Sequence, residues 1–334
     1  MQITKKLQIK SKFSISKNIQ FLIHHNYIIS LPYGRNAIDF YDIKTFRRKF
    51  FLKPEIKMDN INHGKWDLIY TKQKKLFLFG KADHFDNLDI YLLDIDKRKY
   101  VKKASFYYSY SFIEDKNNSK LYILSERELI VYDFNTEISN KKKLIFTPNY
   151  FWKSFLIDNY LLLFSINNLN KDIYSLSCDI IDKNLKYLKK KLTLSKKQNQ
   201  PYFFYDDPFV KLSDNLISVT SYVENHKTII EVADIRINQK VLDETKDELI
   251  AFDNKEIKIK KTGYIDIYPL NKEKCGIAFD YKVYYICNLS NMEITLKMKL
   301  NINEELFLLK FKDDNGKYDI YMSDYEHNKI LFIS

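Results

Sequence analysis

Short apolar runs rich in β-branched and aromatic residues recur along the whole chain, punctuated by Asn, Asp and Lys. Runs of that kind, bounded by turn-forming residues, predict β-strands. No window long enough for a helix keeps a 3.6-residue apolar period with caps, so the pattern predicts an all-β chain. The runs also repeat as a unit. An apolar strand, a turn and a second apolar strand are followed by a loop, a third strand ending in a hydrophobic–Asp step, and a basic fourth strand. The third-strand endings align as Asp39-Phe40-Tyr41-Asp42, Tyr91-Leu92-Leu93-Asp94, Ile130-Val131-Tyr132-Asp133, Leu176-Ser177-Cys178-Asp179 and Val232-Ala233-Asp234. Tyr285-Ile286-Cys287-Asn288 is a sixth copy with Asn for Asp. Successive endings lie 52, 39, 46, 55 and 54 residues apart.

A period of roughly 40–50 residues is that of four-stranded blades set radially in a β-propeller. On that reading the chain forms seven blades, at about 14–54, 65–106, 107–148, 149–197, 202–247, 263–300 and 304–334. The last blade stops one strand short, while the alternating run 1–13 (Ile3, Lys5, Leu7, Ile9, Phe13) offers one to spare. Pairing the two would close the ring and cover two sheet edges. The whole chain thus resembles the WD40-like propeller superfamily. Tyr41-Asp42 and Tyr132-Asp133 look like degenerate forms of the Trp-Asp step that ends the third strand there. The chain departs from that pattern in having no Gly-His before a blade, no Trp in the dipeptide and only 6 Gly. Asn, Asp and Lys-Asn pairs are therefore expected to form the turns. The Asp that ends the third strand is expected to be structural, accepting hydrogen bonds from neighbouring turn groups. The segment 243–262 exceeds what a fourth strand requires, and it reads as an outer hairpin with arms 249–252 and 257–259.

Composition agrees with a packed core: 45% of residues are hydrophobic and 16% aromatic. No apolar run approaches the roughly 18–20 residues that span a bilayer. The first ten residues alternate charge with apolar side chains, unlike a secretory signal, so a cytoplasmic location is expected. Cys178, Cys275 and Cys287 are too few and too irregularly spaced for a disulfide framework or a zinc site, and buried structural thiols are expected. Adjacent His24 and His25 are expected on opposite faces of their strand or turn. His84 and His226 lie in polar turns, and Asp313-Asp314-Asn315-Gly316 is a turn too short for a calcium loop. No nucleophile elbow or phosphate-binding glycine loop occurs. The sequence therefore assigns no catalytic, cofactor-binding or metal-binding residue.

The formal net charge of +12 changes the picture only in part. Abundant Lys, Asn and Ile with scarce Gly and Pro is the mark of an AT-rich genome on any protein. The cations nevertheless gather on the inferred outer strands. Arg47, Arg48 and Lys49, Lys97, Arg98 and Lys99, Lys141, Lys142 and Lys143, and Lys189, Lys190 and Lys191 would form a basic perimeter. Lysines on edge strands guard against edge-to-edge pairing. The same belt is the candidate surface for RNA or acidic lipid. The leading expectation is a non-enzymatic protein-interaction scaffold, a subunit of a larger complex. A hydrolase or lyase with residues at the central channel comes second, and polyanion binding third. Ring closure has a direct test: deleting residues 1–13 should lower the thermal midpoint of the whole domain, and an unchanged midpoint would count against it.

Overall fold

The computed structural model describes residues 3–5, 9–14, 18–32, 37–56, 64–82, 87–107, 109–125, 128–143, 151–157, 159–170, 173–184, 187–198, 210–235, 253–263, 265–279, 283–299, 306–314, 317–324 and 329–333. Among them the regular elements are strands, and no helix is long and apolar enough to cross a membrane. Two short strands come first, β1 (Ile3–Lys5) and β2 (Ile9–Ser14). Groups of four follow. They are β3 (Asn18–His24), β4 (Tyr27–Pro32), β5 (Ile38–Asp42) and β6 (Arg48–Pro54), then β7 (Gly64–Tyr70), β8 (Leu76–Ala82), β9 (Leu88–Asp94) and β10 (Lys99–Phe106). The third group is β11 (Ser109–Asp115), β12 (Lys120–Ser125), β13 (Glu128–Asp133) and β14 (Ile138–Lys143). The fourth is β15 (Phe151–Ile157), β16 (Tyr160–Asn170), β17 (Ile173–Asp182) and β18 (Tyr187–Gln198). The fifth is β19 (Val210–Lys211), β20 (Leu216–Glu224), β21 (Lys227–Asp234) and β22 (Asp253–Ile259). The sixth is β23 (Ile265–Pro269), β24 (Lys274–Phe279), β25 (Val283–Asn288) and β26 (Glu293–Lys299). The chain ends with β27 (Leu306–Asp314), β28 (Lys317–Asp324) and β29 (Lys329–Ile333).

Strands within each group are neighbours in chain order, as expected of propeller blades. The chain falls into two compact units, one of residues 1–11, 149–322 and 331–334, the other of 12–148 and 323–330. In the second unit the first two groups bury Ile29, Phe40 and Leu52 against Trp66, Leu78 and Tyr91. The opposite face of the second group buries Phe77 and Phe79 against the third, on Leu121, Ile123 and Phe134. In the first unit, Ile230 and Val232 of the fifth group pack with Ile277 and Tyr285 of the sixth. Strands enclosed on both faces read as continuous apolar runs, which explains the second and third strands of each group. The outer strands β6 and β14 are mostly exposed and carry charge.

Three expectations need correction. First, the N-terminal run is two strands. Ile9–Ser14 lies beside β29 in the last sheet, whereas Ile3–Lys5 pairs in parallel with β26 and gives the sixth sheet a fifth strand. Second, the fourth marker is Asp182 and not Asp179, because β17 runs three residues further than its apolar pattern implied. Third, the arm expected at 257–259 is not an addition beyond the fourth strand. Residues 257–259 belong to β22, the fourth strand of its own group, paired along Thr228–Asp234 of β21. The proposed arm at 249–252 lies outside the described residues.

Outer edges are not simply left to lysines. β6 and β10 join in parallel, Lys99 opposite Lys53 and Tyr100 opposite Pro54, and weld the first two groups into one eight-stranded sheet. Lys53 N donates to Arg98 O at 3.1 Å and Glu55 N to Tyr100 O at 2.9 Å. Pro54, which has no donor to give, falls between them.

The marker residues hold the turns. Asp42 Oδ1 accepts from the backbone N–H of Thr45 at 2.8 Å and of Lys44 at 3.0 Å. Asp94 does so from Lys97, Asp133 from Asn135 and Thr136, and Asn288 from Ser290. The N–H of Thr45 is the main cause that holds the Asp42 carboxyl below its usual pKa. Four residues after these markers the backbone turns left-handed, at Phe46, Arg98, Glu137 and Met292 (φ 56°, 57°, 60° and 57°). Glycine is the usual occupant of such a position. The residue after the marker then ties two turns together. Ile43, Phe134, Lys183, Ile235 and Leu289 donate their N–H to the carbonyls of Asn26, Ser119, Asn159, Asn215 and Glu273. Each acceptor is the residue immediately before the second strand of the same group. Lys183 in this series confirms Asp182 as the fourth marker. Removing one such side chain leaves turn donors unmet. Asp133→Ala is expected to cost roughly 1–2 kcal/mol in urea unfolding, whereas Asp133→Asn, the solution already in use at Asn288, should be nearly neutral.

Candidate functional site

The tied turns of the fifth and sixth groups enclose a cleft of about 490 Å³. One wall is the turn 213–215, closed by Leu212 N donating to Leu216 O at 2.8 Å. The other is the turn 271–273, closed by Leu270 N to Lys274 O at 3.1 Å and by Glu273 N to Asn271 Oδ1 at 2.9 Å. Lys272 Nζ crosses to Asp214 Oδ2 at 2.7 Å. Both side chains are largely exposed, so the pair contributes little stability. Its hydrogen bond still holds the Asp214 carboxyl below its ordinary pKa. Asp234, bonded by Asn215 Nδ2, and Asn288 with Ser290 complete the lining, together with Lys255 and Glu273. Two opposite-charge sets and two leucines, Leu216 and Leu289, make this a polar seat. An apolar small-molecule pocket is lined differently.

The twelve basic candidates lie on or just before β6, β10, β14 and β18. Arg47, Arg48, Lys49, Lys97, Arg98 and Lys99 come together where β6 meets β10. There Arg48 pairs with Asp39 at 3.4 Å, Lys49 with Asp42 at 3.5 Å and Lys97 with Asp94 at 3.2 Å. Arg98 stacks over Phe50 at 4.0 Å, and Arg48 and Lys53 flank the half-exposed Phe51 at 5.5 and 5.6 Å. Lys141, Lys142 and Lys143 lie on β14 of a separate sheet, Lys141 facing Glu128 at 3.4 Å. Lys189, Lys190 and Lys191 lie on β18, and their side chains are outside the described residues. Arg48, Lys49, Lys99, Lys141, Lys142, Lys143, Lys189, Lys190 and Lys191 lie on fourth strands, and Arg47, Lys97 and Arg98 in the turns before them. Much of the charge is answered by neighbouring carboxylates.

His24 and His25 do not diverge as expected. His25 takes a left-handed φ of 49°, which swings its ring to 4.1 Å from that of His24, and both rings approach Tyr70. Among the described residues no three His, Cys, Asp or Glu side chains gather as a metal site.

Sequence reasoning missed Glu114. It stands on β11, the first strand of its group, with Asp67 of β7 among the charges that act on it. Its Oε2 accepts from Lys116 Nζ at 3.2 Å, while Oε1 is buried and finds no partner. Burial is the main cause that pushes its pKa up to about 7, with Asp67 and Asp115 adding to it and Lys116 opposing. The signal in the sequence was a carboxylate at the end of an apolar run, on the same strand face as Phe112.

No protein-family model matches the chain, and no curated protein matches it by sequence. Solved structures match it by fold. The Neurospora crassa Pan2 WD40 domain superposes with a TM-score of 0.59 at 11% identity, over 100% of this chain and 97% of that one. The Myceliophteria thermophila Cps50 (Swd1) β-propeller domain gives 0.56 at 11% identity, over 96% and 99%. Chaetomium thermophilum Raptor gives 0.58 at 9% identity; 98% of this chain is covered, and it spans 29% of Raptor. The resemblance to WD40 propellers therefore holds at the level of fold.

Glu114 makes a sign-definite prediction. Its folded pKa of about 7 exceeds the ordinary 4.5, so the folded state keeps a proton that the unfolded state has lost, and stability falls as pH rises between those values. Glu114→Gln stays neutral throughout. By urea unfolding it should gain roughly 1–3 kcal/mol over the wild type at pH 8 and little at pH 4.

Proposed function

We propose that this chain is a non-catalytic docking platform for a protein partner, a cytoplasmic subunit of a larger complex, built as seven blades closed into a ring. The pairing of Ile9–Ser14 beside β29 supports closure, and so does the grouping of the remaining strands in fours. The observation that carries the docking reading is the cleft between turns 213–215 and 271–273. Asp214, Lys272 and Glu273 ride on turns fixed by backbone ties, and Asp234 and Lys255 on paired strands, so a partner meets them with little ordering cost. Propeller turns are well suited to such a role, a warrant of fold-level analogy.

Glu114 favours a second reading, acid–base chemistry of a hydrolase or lyase type. A carboxyl that titrates near neutrality is a common mark of such sites. It ranks second because structural ion clusters perturb carboxylates in the same way. Binding of RNA or acidic lipid along the outer strands has least support, since Arg48, Lys49, Lys97 and Lys141 already face carboxylates.

The docking reading is tested by charge reversal in the cleft. The tagged wild-type chain should co-purify a defined partner from its native source. The double variant Lys255→Glu/Lys272→Glu should lose it at least tenfold, with an unchanged thermal midpoint. Equal recovery by the variant, or no partner for the wild type, would sink the reading.

A further inference from the structure

The two central strands of the sixth group bring together the chain's two C-terminal cysteines. Cys275 of β24 stands directly opposite Cys287 of β25, in a register that runs unbroken from Lys274 opposite Asn288 to Phe279 opposite Val283. Directly opposed residues of an antiparallel pair leave the sheet on the same face, with Cβ atoms about 4.5–5.5 Å apart. Their Cα separation, about 4.5 or 5.5 Å by pair type, lies within the range that a disulfide spans. Both residues are free thiols and fully buried in the core shared by the fifth and sixth groups. Cys287 Sγ donates to Asn288 O at 3.6 Å, which leaves its sulfur able to accept from the Cys275 thiol.

We propose that Cys275 and Cys287 are a redox pair, a dithiol in the reduced protein that closes to a cross-strand disulfide on exchange with a small-molecule disulfide of the glutathione type. In the first step one cysteine thiolate attacks a sulfur of the small disulfide. A mixed disulfide forms and one small thiolate leaves. In the second step the facing cysteine, as its thiolate, attacks the protein sulfur of that mixed disulfide, forming the Cys275–Cys287 bond and expelling the second small thiolate. The protein gives up two electrons and two protons, and the oxidant ends as two thiols. The hydrogen bond to Cys287 and burial push the Cys275 thiol up, which keeps the thiolate fraction small and the first step slow in the closed sheet. The second step is fast, because its partner is already in place.

The location gives the bond a consequence. Cys275 follows Glu273 and Lys274, Cys287 precedes Asn288, and Leu289 N donates to Glu273 O at 2.8 Å between the same two strand ends. Oxidation therefore fixes the strands directly beneath one wall of the cleft, and that consequence alone rests on the docking reading.

The test is chemical and independent of any partner. The full chain is incubated with oxidised glutathione in urea below its unfolding midpoint, alkylated, digested with trypsin without reduction and weighed. Cleavage after Lys274, Lys282 and Lys297 puts the two cysteines in separate peptides. The expected product is those two peptides joined, two hydrogens lighter than their sum, with Cys178 recovered alkylated. Cys178→Ser should leave the yield unchanged, and Cys275→Ser should abolish the joined product and leave Cys287 as its glutathione adduct. Recovery of both peptides singly alkylated, a persistent glutathione adduct in the wild type, or a bond to Cys178 would each overturn the proposal.

Discussion

The structure depends on a short tie at one end of its sheets. A backbone N–H just beyond the third strand meets a carbonyl just before the second. Four strands joined by tight turns have a right-handed twist that tends to splay those turns apart, and buried peptide groups between them would lack partners. The tie answers both demands at once. It also places an apolar side chain beneath the turns, since Phe134, Ile235 and Leu289 are fully or almost fully buried. The marker side chain one residue earlier completes the arrangement by accepting from the turn. Asn288 shows that what is required is a short side chain with an acceptor oxygen, and not a negative charge.

This chain reaches that geometry almost without glycine. Phe46, Arg98, Glu137 and Met292 hold left-handed backbone at a cost of about 1 kcal/mol each. Other contacts offset it. Arg98 lies over Phe50, Met292 is buried in the core, and Glu137 draws Lys75 and Lys103 to 2.7 and 2.9 Å. Lys75 of the β7–β8 turn and Lys103 of β10 thus have internal work to do. Together with the parallel β6–β10 seam and the β1–β26 pairing, they leave less need for positive charge as a guard of bare edges.

What was legible in the sequence follows from which features are local. The strands, their grouping and most of the markers were readable, because apolar runs and an Asp at a strand end act within a few residues of themselves. The fourth marker was misread because Cys178-Asp179 and Ile181-Asp182 carry the same hydrophobic–Asp step, and only the tie from Lys183 to Asn159 distinguishes them. The paired sites were not readable. The environment of Glu114 includes Asp67, a residue of a different sheet. The meeting of His24 and His25 turns on one left-handed φ. Cys275 and Cys287 looked irregularly spaced until the hairpin register placed them opposite one another.

The contrast between the two ends of this chemistry bears on function. Cleft residues such as Lys272 and Asp214 are exposed, and their mutual attraction is weak, so a partner can exchange for it at small cost. Glu114 is the reverse: a buried carboxyl with one unmet oxygen, which the fold tolerates only by holding a proton near neutral pH. A docking surface needs the first property, rigid backbone beneath loosely held charges. Catalysis would need the second together with further groups positioned on the same substrate. The ties supply rigidity directly beneath the cleft, at Asn215 and Glu273. That coincidence of a fixed frame with freely exchangeable side chains is the ground on which we propose recognition over chemistry.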